Sequence, residues 1–354
     1  ASMSYDEQLG AAKKAALLAA RLCQKVQKSL LQSDVQSKSD KSPVTVADYG
    51  SQALVSFILR NELPSMIPFS LVAEEDSGDL RREGSGETLH RVTEYVNDIL
   101  AGEGAAPLSE NDVLEAIDSG KSEGGSEGQH WVLDPIDGTK GFLRGDQYAI
   151  ALALLDQGKV VLGVLACPNL PLSSPSVSKN DPRPPPDEKL GCLFSARLGD
   201  GTYMQSFDGS LLTKVRVSRI DNAEDASFFE SFEAAHSSHE LSGLIAKKLG
   251  VKAKPVRMDS QAKYGALSRG DGEMYMRFPH EGYREKIWDH AAGYIVVAEA
   301  GGLVTDAGGN PLDFSRGRYL DLESGIVVAN EKLMPNLLRS VKASIRELAS
   351  SSTL

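Results

Sequence analysis

Asp134 and Asp137 lie in the chain's most chemically suggestive segment, Trp131-Val132-Leu133-Asp134-Pro135-Ile136-Asp137-Gly138-Thr139-Lys140-Gly141. The apolar run before Asp134 reads as a strand that delivers the first carboxylate at its C-terminal end. Pro135 has no N–H and is expected to stop the ladder there. Asp137 follows on the turn, and Gly138 lets the backbone approach a ligand closely. Two carboxylates so spaced can share one hard cation, and the Ile136 carbonyl between them adds an oxygen. Mg²⁺ takes such oxygen donors in octahedral geometry. The amides of Gly138, Thr139 and Lys140 suit a phosphate oxygen, as N–H groups at turns and helix starts do. A bare Asp-x-x-Asp pair is also compatible with a polar turn closed by an Asx hydrogen bond.

The elements that must position these groups follow from periodicity. Residues 5–33 read as one long helix, with Ala12, Ala15, Ala16, Ala19, Leu22, Cys23, Val26 and Leu30 at helical spacing. The polar stretch 33–42 reads as an exposed loop. A second helix follows, with Asp48 expected at its N-cap or first turn. A short buried strand, 69–73, ends in Glu74-Glu75-Asp76. Residues 88–100 and 111–117 read as short helices. Strand pairs 148–155/159–166 and 190–197/202–207 bracket turn residues and read as hairpins. Between them, residues 171–188 are dense in Ser and Pro and read as a mobile loop. From about residue 223, strands and helices alternate. Two domains are therefore expected: 1–222, α+β, and 223–354, α/β.

Composition narrows the function. Of 354 residues, 41 % are hydrophobic and 25 % charged, an ordinary globular balance. The formal charge is −11, from 38 basic and 49 acidic residues. Such a chain is a poor partner for nucleic acid polymers. No apolar run is long enough to span a membrane. Three cysteines and no Asn-x-Ser/Thr site point to an intracellular or organellar protein. A chloroplast or mitochondrion is expected if a transit peptide has been removed, and the cytoplasm otherwise. Ala1-Ser2 reads as an expression scar before Met3. There is no Walker A, HExxH or Gly-x-Ser-x-Gly motif.

The segment around Asp134 resembles the inositol monophosphatase superfamily. So do Leu71-Val72-Ala73-Glu74-Glu75-Asp76, Ile287-Trp288-Asp289-His290-Ala291-Ala292-Gly293 and Glu299-Ala300-Gly301-Gly302. Within it, Lys41–Asp48, His236–His239, Asp259–Tyr264 and Glu285–His290 resemble the 3'(2'),5'-bisphosphate nucleotidases, most closely the plant forms. The resemblance runs from about residue 11 to 330. It implies an α+β / α/β fold, a layered αβαβα sandwich. It also implies Mg²⁺-dependent hydrolysis of 3'-phosphoadenosine 5'-phosphate (PAP) to AMP and phosphate, with side activity on 3'-phosphoadenylyl sulfate and inositol 1,4-bisphosphate, and inhibition by Li⁺.

By this resemblance, Glu74, Asp134 and the Ile136 carbonyl bind one Mg²⁺. Asp134, Asp137 and Asp289 bind a second, and a third, weaker ion sits near Glu74 and Asp48. Asp48 and Thr139 orient and activate the attacking water. His236, Ser260, Lys263 and Arg277 match nucleotide-binding positions. The metal site is expected in the cleft between the domains, with a small nucleotide bisphosphate as partner and a monomer or homodimer as the assembly. Five carboxylates in one pocket would repel one another and raise their pKa values, which Mg²⁺ would offset. The alternatives are an inositol polyphosphate 1-phosphatase and a non-catalytic nucleotide sensor.

Two further signals carry expectations. His236 and His239 stand at zinc-ligand spacing but lack a third ligand, so His236 is read as a nucleotide contact. His290 is read as a structural partner of the helix start. Cys167 and Cys192 bracket the Ser/Pro-rich loop. If their strands are neighbours, the two thiols approach disulfide distance and form a regulatory pair. Otherwise they are small hydrophobes, as Cys23 is expected to be.

Overall fold

The long alanine-rich stripe near the N-terminus folds as α1 (Asp6–Gln32), which packs against α2 (Ser42–Glu62). Ala12, Ala15, Ala16, Ala19, Leu22 and Cys23 are fully buried in that contact and against the sheet beneath. The computed structural model describes residues 4–32, 42–173, 189–234 and 236–352. The expected loop 33–42 lies outside them up to residue 41, and the expected loop 171–188 from residue 174 onward.

The first sheet has seven strands in chain order. They are β1 (Leu71–Ala73), β2 (Gln129–Asp137), β3 (Ala149–Asp156), β4 (Lys159–Pro171), β5 (Leu190–Arg197), β6 (Gly201–Ser206) and β7 (Leu212–Val215). β1 and β2 are parallel, and every later neighbour is antiparallel. α3 (Gly86–Gly102) and α4 (Glu110–Asp118) join α1 and α2 on one face. α4 opens with a capping box, in which the Ser109 hydroxyl accepts from the Asp112 amide and the Asp112 carboxylate from the Ser109 amide. α5 (Thr139–Arg144) is a short helix after β2.

The second sheet holds β8 (Phe228–Glu230), β9 (Val256–Arg257), β10 (Met274–Arg277), β12 (Gly302–Asp306) and β14 (Ile326–Asn330), in the order β12-β14-β10-β8-β9. β11 (Glu285–Lys286) pairs with β13 (Tyr319–Leu320) apart from it. α7 (Ala262–Ser268) and α8 (Ala291–Glu299) lie between the two sheets, and α6 (His239–Leu249) and α9 (Met334–Ser352) cover the outer face of the second. The layers run helix, sheet, helix, sheet, helix, the αβαβα order that the resemblance implied.

Side-chain size explains why the middle helices fit. On β3, Ile150, Leu152 and Leu154 point into the α1–α2 side, whereas Ala149, Ala151 and Ala153 point toward α8. The strand is covered on both faces, hence its unbroken apolar run. α8 is sandwiched likewise, and Ile295, Val296 and Val297 are all buried. A Cβ on Gly293 would lie 2.2 Å from the Tyr264 ring, so only glycine lets α7 and α8 approach this closely.

Several local expectations are corrected. β2 does not stop at Pro135. Its register shifts between Asp134 and Asp137, and the ladder resumes with Asp137 opposite Ala149. The extra residue makes a bulge, and proline is tolerated there because no partner needs its N–H. α2 starts at Ser42, so Asp48 lies inside the helix rather than at its cap or first turn. Ser260 lies just before α7, which begins at Ala262. β7 and the β11–β13 pair were not anticipated.

Candidate active site

The ends of β1 and β2 build the acidic wall. Ala73 pairs with Leu133 in parallel register, so the strands deliver Glu74 and Asp134 side by side. The β2 bulge then turns Asp137 toward the same point. Asp289 closes a 3₁₀ turn, Ile287–Asp289, just before α8. Carboxylate oxygens of Asp134, Asp137 and Asp289 all lie within 4.8 Å of one another. Glu74 and Ile136 line the same cleft of about 340 Å³. Asp48 stands behind this lining on α2 and feels both Glu74 and Glu75. The Ser51 hydroxyl, one turn along α2, donates to the Pro135 carbonyl at 2.8 Å and holds the helix on the bulge.

This wall is electrostatically costly. Two like charges 4.8 Å apart repel by about 3.5 kcal/mol at an effective dielectric of about 20. Burial, then Glu74, Asp137 and Asp289, push the Asp134 carboxyl well up. Burial and Glu75 raise Glu74 to about 7, and burial and Asp137 raise Asp289 to about 7. Burial, Glu75 and Glu74 push Asp48 well up. Asp134 Oδ1 and Asp48 Oδ1 are buried without a hydrogen-bond partner. Orphaned, all-oxygen, like-charged donors fit a hard divalent cation.

A stability test follows. Without metal, folded Glu74 and Asp289 keep protons up to about pH 7 that the unfolded chain has released above the ordinary carboxylate range. The unfolded state then binds fewer protons, so stability falls as pH rises through that window. In chelator, this contribution to Tm should decline between pH 5 and pH 8. Mg²⁺ should remove it, so the Tm gained on adding Mg²⁺ should grow with pH. A gain that is the same at every pH would contradict the clustering of these carboxylates around a cation.

Cations line the same cleft. Lys263 on α7 is 4 % exposed, donates to the Met258 carbonyl at 2.8 Å and lies over the Tyr275 ring. Burial pulls its ammonium down to about 8, against Asp137. Arg277, at the end of β10, donates from Nε to Glu285 at 2.5 Å. Burial alone would lower its pKa, but Glu285 raises it overall. His236 lines the cleft with an exposed ring; partial desolvation there, then Arg277 and Lys140, lower its pKa. Ser260 has φ +72°, a left-handed backbone that only its surroundings can hold. The Gln261 amide donates to Asp137 at 2.7 Å, and a Cβ on Gly138 would lie 2.8 Å from Ser260 Cβ. The two halves of the chain therefore touch at the cleft.

The structure thus brings Glu74, Asp134, Ile136, Asp137, Gly138, Thr139, His236, Ser260, Lys263, Arg277 and Asp289 to one cleft. It does not join Thr139 to Asp48, because the Thr139 hydroxyl makes no hydrogen bond to that carboxylate among the described residues. His239 does not line the cleft; its Nε2 bonds the Ser231 carbonyl at 2.9 Å, and it is not in the carboxylate cluster. Sequence reasoning gave no role to Glu285 or Tyr264. His290 bridges them, with Nδ1 2.7 Å from the Tyr264 hydroxyl and Nε2 2.9 Å from Glu285. Burial raises Glu285, but His290 and Arg277 overcome it and hold the carboxyl at about 2. Its place in the Glu285–His290 segment, four residues before Asp289, is the cue the sequence offers.

Cys167 and Cys192 face each other across β4 and β5, both fully buried and both free thiols. Directly opposed residues of antiparallel strands have Cα atoms about 4.5–5.5 Å apart, within the disulfide range. Burial, opposed by Arg269, pushes the Cys192 thiol up to about 11, and burial and Cys192 push Cys167 up. Both effects disfavour the reactive thiolate. Cys23 packs in the α1 core, as expected.

Comparison with known proteins places the chain. The model of the inositol monophosphatase family matches residues 40–346. A protein of Arabidopsis thaliana named 3'(2'),5'-bisphosphate nucleotidase 1 is 68 % identical over 356 residues, covering 99 % of this chain and 100 % of that protein. A 3'(2'),5'-bisphosphate nucleotidase of Oryza sativa is 63 % identical over 345 residues, covering 97 % and 96 %. Among solved structures, an inositol monophosphatase from Anabaena (Nostoc) sp. superposes with a TM-score of 0.59 at 18 % identity, covering 96 % of this chain and 97 % of that one, which bears on the fold alone. Family match and relatives agree with the site's geometry: the chain belongs to the inositol monophosphatase family.

Proposed function

We propose that the protein is a Mg²⁺-dependent phosphatase that removes the 3'(2')-phosphate of 3'-phosphoadenosine 5'-phosphate, giving AMP and phosphate. The observation that carries this reading is the two-signed cleft. Glu74, Asp134, Asp137 and Asp289 line it together with Lys140, Lys263 and Arg277. A monophosphate needs only the acidic group. A bisphosphate needs a second anchor for the phosphate that stays. Relatives named bisphosphate nucleotidases, at 68 % and 63 % identity, support the choice.

In this reading Glu74, Asp134 and the Ile136 carbonyl hold one Mg²⁺, Asp134, Asp137 and Asp289 a second, and Glu74 with Asp48 a weaker third. Bound Mg²⁺ supplies positive charge to the oxygens of the transferred phosphoryl group. The Gly138 and Thr139 amides orient that group. The Thr139 hydroxyl and Asp48 relay the proton of the attacking water. Water oxygen bonds to phosphorus as its proton passes to Asp48, the bond to the 3'-oxygen breaks, that oxygen takes a proton from solvent water, and Asp48 returns its proton to solvent. His236, Ser260, Lys263 and Arg277 hold the 5'-phosphate and nucleoside. Residues 1–222 and 223–354 act as the two units that meet at this cleft. 3'-Phosphoadenylyl sulfate and inositol 1,4-bisphosphate are further substrates, and Li⁺ inhibits by competing for a metal position.

The deciding assay is phosphate release from the nucleotide bisphosphate, inositol 1,4-bisphosphate and 5'-AMP, each with and without Mg²⁺. Fast Mg²⁺-dependent release from the first and none from 5'-AMP is expected. Preference for the inositol compound would move the assignment to an inositol polyphosphate phosphatase. Binding without cleavage would make the protein a sensor.

Lys263→Met keeps the packing over Tyr275 and removes the charge. A charge-assisted hydrogen bond is worth about 1.5–3 kcal/mol, so kcat/KM on the nucleotide should drop roughly 10- to 100-fold. The inositol compound should lose less. Equal losses on both would remove Lys263 from nucleotide selection.

A further inference from the structure

Arg318 lies far from every motif, in the segment leading into β13, yet it touches the backbone beside two of the acidic residues. Its Nη2 donates to the Ala73 carbonyl at 2.5 Å, in the peptide that joins Ala73 to Glu74. Its Nη1 donates to the Ser122 carbonyl at 2.8 Å and the Gly120 carbonyl at 3.3 Å. The segment holding those two carbonyls runs along the open edge of β1. There the Ala73 amide bonds the Gly120 carbonyl at 3.0 Å and Val72 bridges Lys121. The guanidinium also lies 4.8 Å from the ring centroid of Trp288, the residue before Asp289. The Arg318 carbonyl accepts from the Ile287 amide at 3.0 Å, fixing the start of the turn that carries Asp289.

We propose that Arg318 is a positioning residue for the metal site. It ties the peptide before Glu74 to the indole before Asp289 and so sets how closely the carboxylates of the two halves of the chain approach. Repulsion between these carboxylates pushes the halves apart, and Arg318 opposes it from outside the ligand set. Only a guanidinium does this, because it donates to three carbonyls in a planar fork and stacks on an aromatic face at once. An ammonium could satisfy a carbonyl but would lose the fork. The inference rests on the ligand set proposed above and is independent of which phosphate ester is cleaved.

The test is calorimetric titration of the protein with magnesium chloride, without substrate, for the unchanged chain, Arg318→Gln and Arg318→Lys. Groups that orient metal ligands typically contribute 10- to 100-fold in metal affinity. Arg318→Gln should therefore weaken Mg²⁺ binding by roughly that factor, and Arg318→Lys should fall between it and the unchanged chain. The Tm gained on adding Mg²⁺ should shrink in the same order. A role in general folding alone would lower Tm equally with and without Mg²⁺ and leave the dissociation constant alone; that result overturns the proposal. If Arg318→Gln does not fold, the lysine variant decides, and Mg²⁺ affinity within twofold of the unchanged chain overturns it. Failure of the unchanged chain to bind Mg²⁺ would instead overturn the ligand set. Mg²⁺ binding without nucleotide hydrolysis would overturn the proposed substrate and leave Arg318 its role.

Discussion

Asp134→Asn should lower kcat/KM on 3'-phosphoadenosine 5'-phosphate by roughly a thousandfold or more, about 4 kcal/mol of transition-state stabilisation. Asp134 is the carboxylate common to the first two of the three proposed Mg²⁺ positions and is only 2 % exposed. Asparagine keeps its shape, removes one negative charge and puts an N–H₂ donor where an oxygen donor is required. The same change should stabilise the metal-free protein. The Asp134 carboxyl is pushed up by burial and by Glu74, Asp137 and Asp289, and its Oδ1 has no partner. Removing that charge relieves the repulsion, as replacing strained active-site groups often does. Activity measured beside thermal unfolding in chelator distinguishes this from misfolding. An inactive protein with raised apo stability is the expected pair of results. Full turnover would remove Asp134 from the metal site.

Thr139→Ala carries the second largest expected effect. Thr139 is exposed at the first position of α5, immediately after the left-handed Gly138. Losing its methyl and hydroxyl should change stability by only about 0.5 kcal/mol or less. If the hydroxyl relays the proton of the attacking water, kcat should fall by roughly 10²–10⁴, the usual share of general acid–base catalysis. KM should stay near its original value, and Thr139→Ser should restore most of the rate. The structure makes this a demanding test, because Thr139 and Asp48 share no hydrogen bond and the relay requires a water between them. A loss confined to KM would assign Thr139 to phosphate binding and leave Asp48 without its relay.

Local pattern made much of this molecule legible. The alanine stripe of α1 reads at helical spacing because a helix buries one face. The hairpin β3–β4 reads from an apolar run broken at Asp156-Gln157-Gly158. Glu74 and Asp137 stand out because each lies at or just past the end of a strand, where side chains leave the sheet for a cleft, and Asp134 stands beside the bulge just before that end. Where local rules failed, packing had overruled them. Pro135 reads as a stop, yet the bulge gives it a place where no N–H is needed. Asp48 reads as a cap, yet α2 begins six residues earlier.

Spacing alone reveals oxygen donors beside a glycine turn and elements of the right kind to carry them, because these depend on neighbours in the chain. Which groups meet depends on packing between distant elements. Parallel register between Ala73 and Leu133 sets Glu74 beside Asp134, and antiparallel register sets Cys167 opposite Cys192. The layer of α7 and α8 between the sheets brings Lys263 and Asp289 to strands that end more than a hundred residues earlier. Glu285 stands in a quoted motif but has no role there that spacing reveals, and Arg318 stands in no motif. Their roles come from hydrogen bonds and ring contacts across the fold, and such contacts depend on strand register and helix packing that no local spacing encodes.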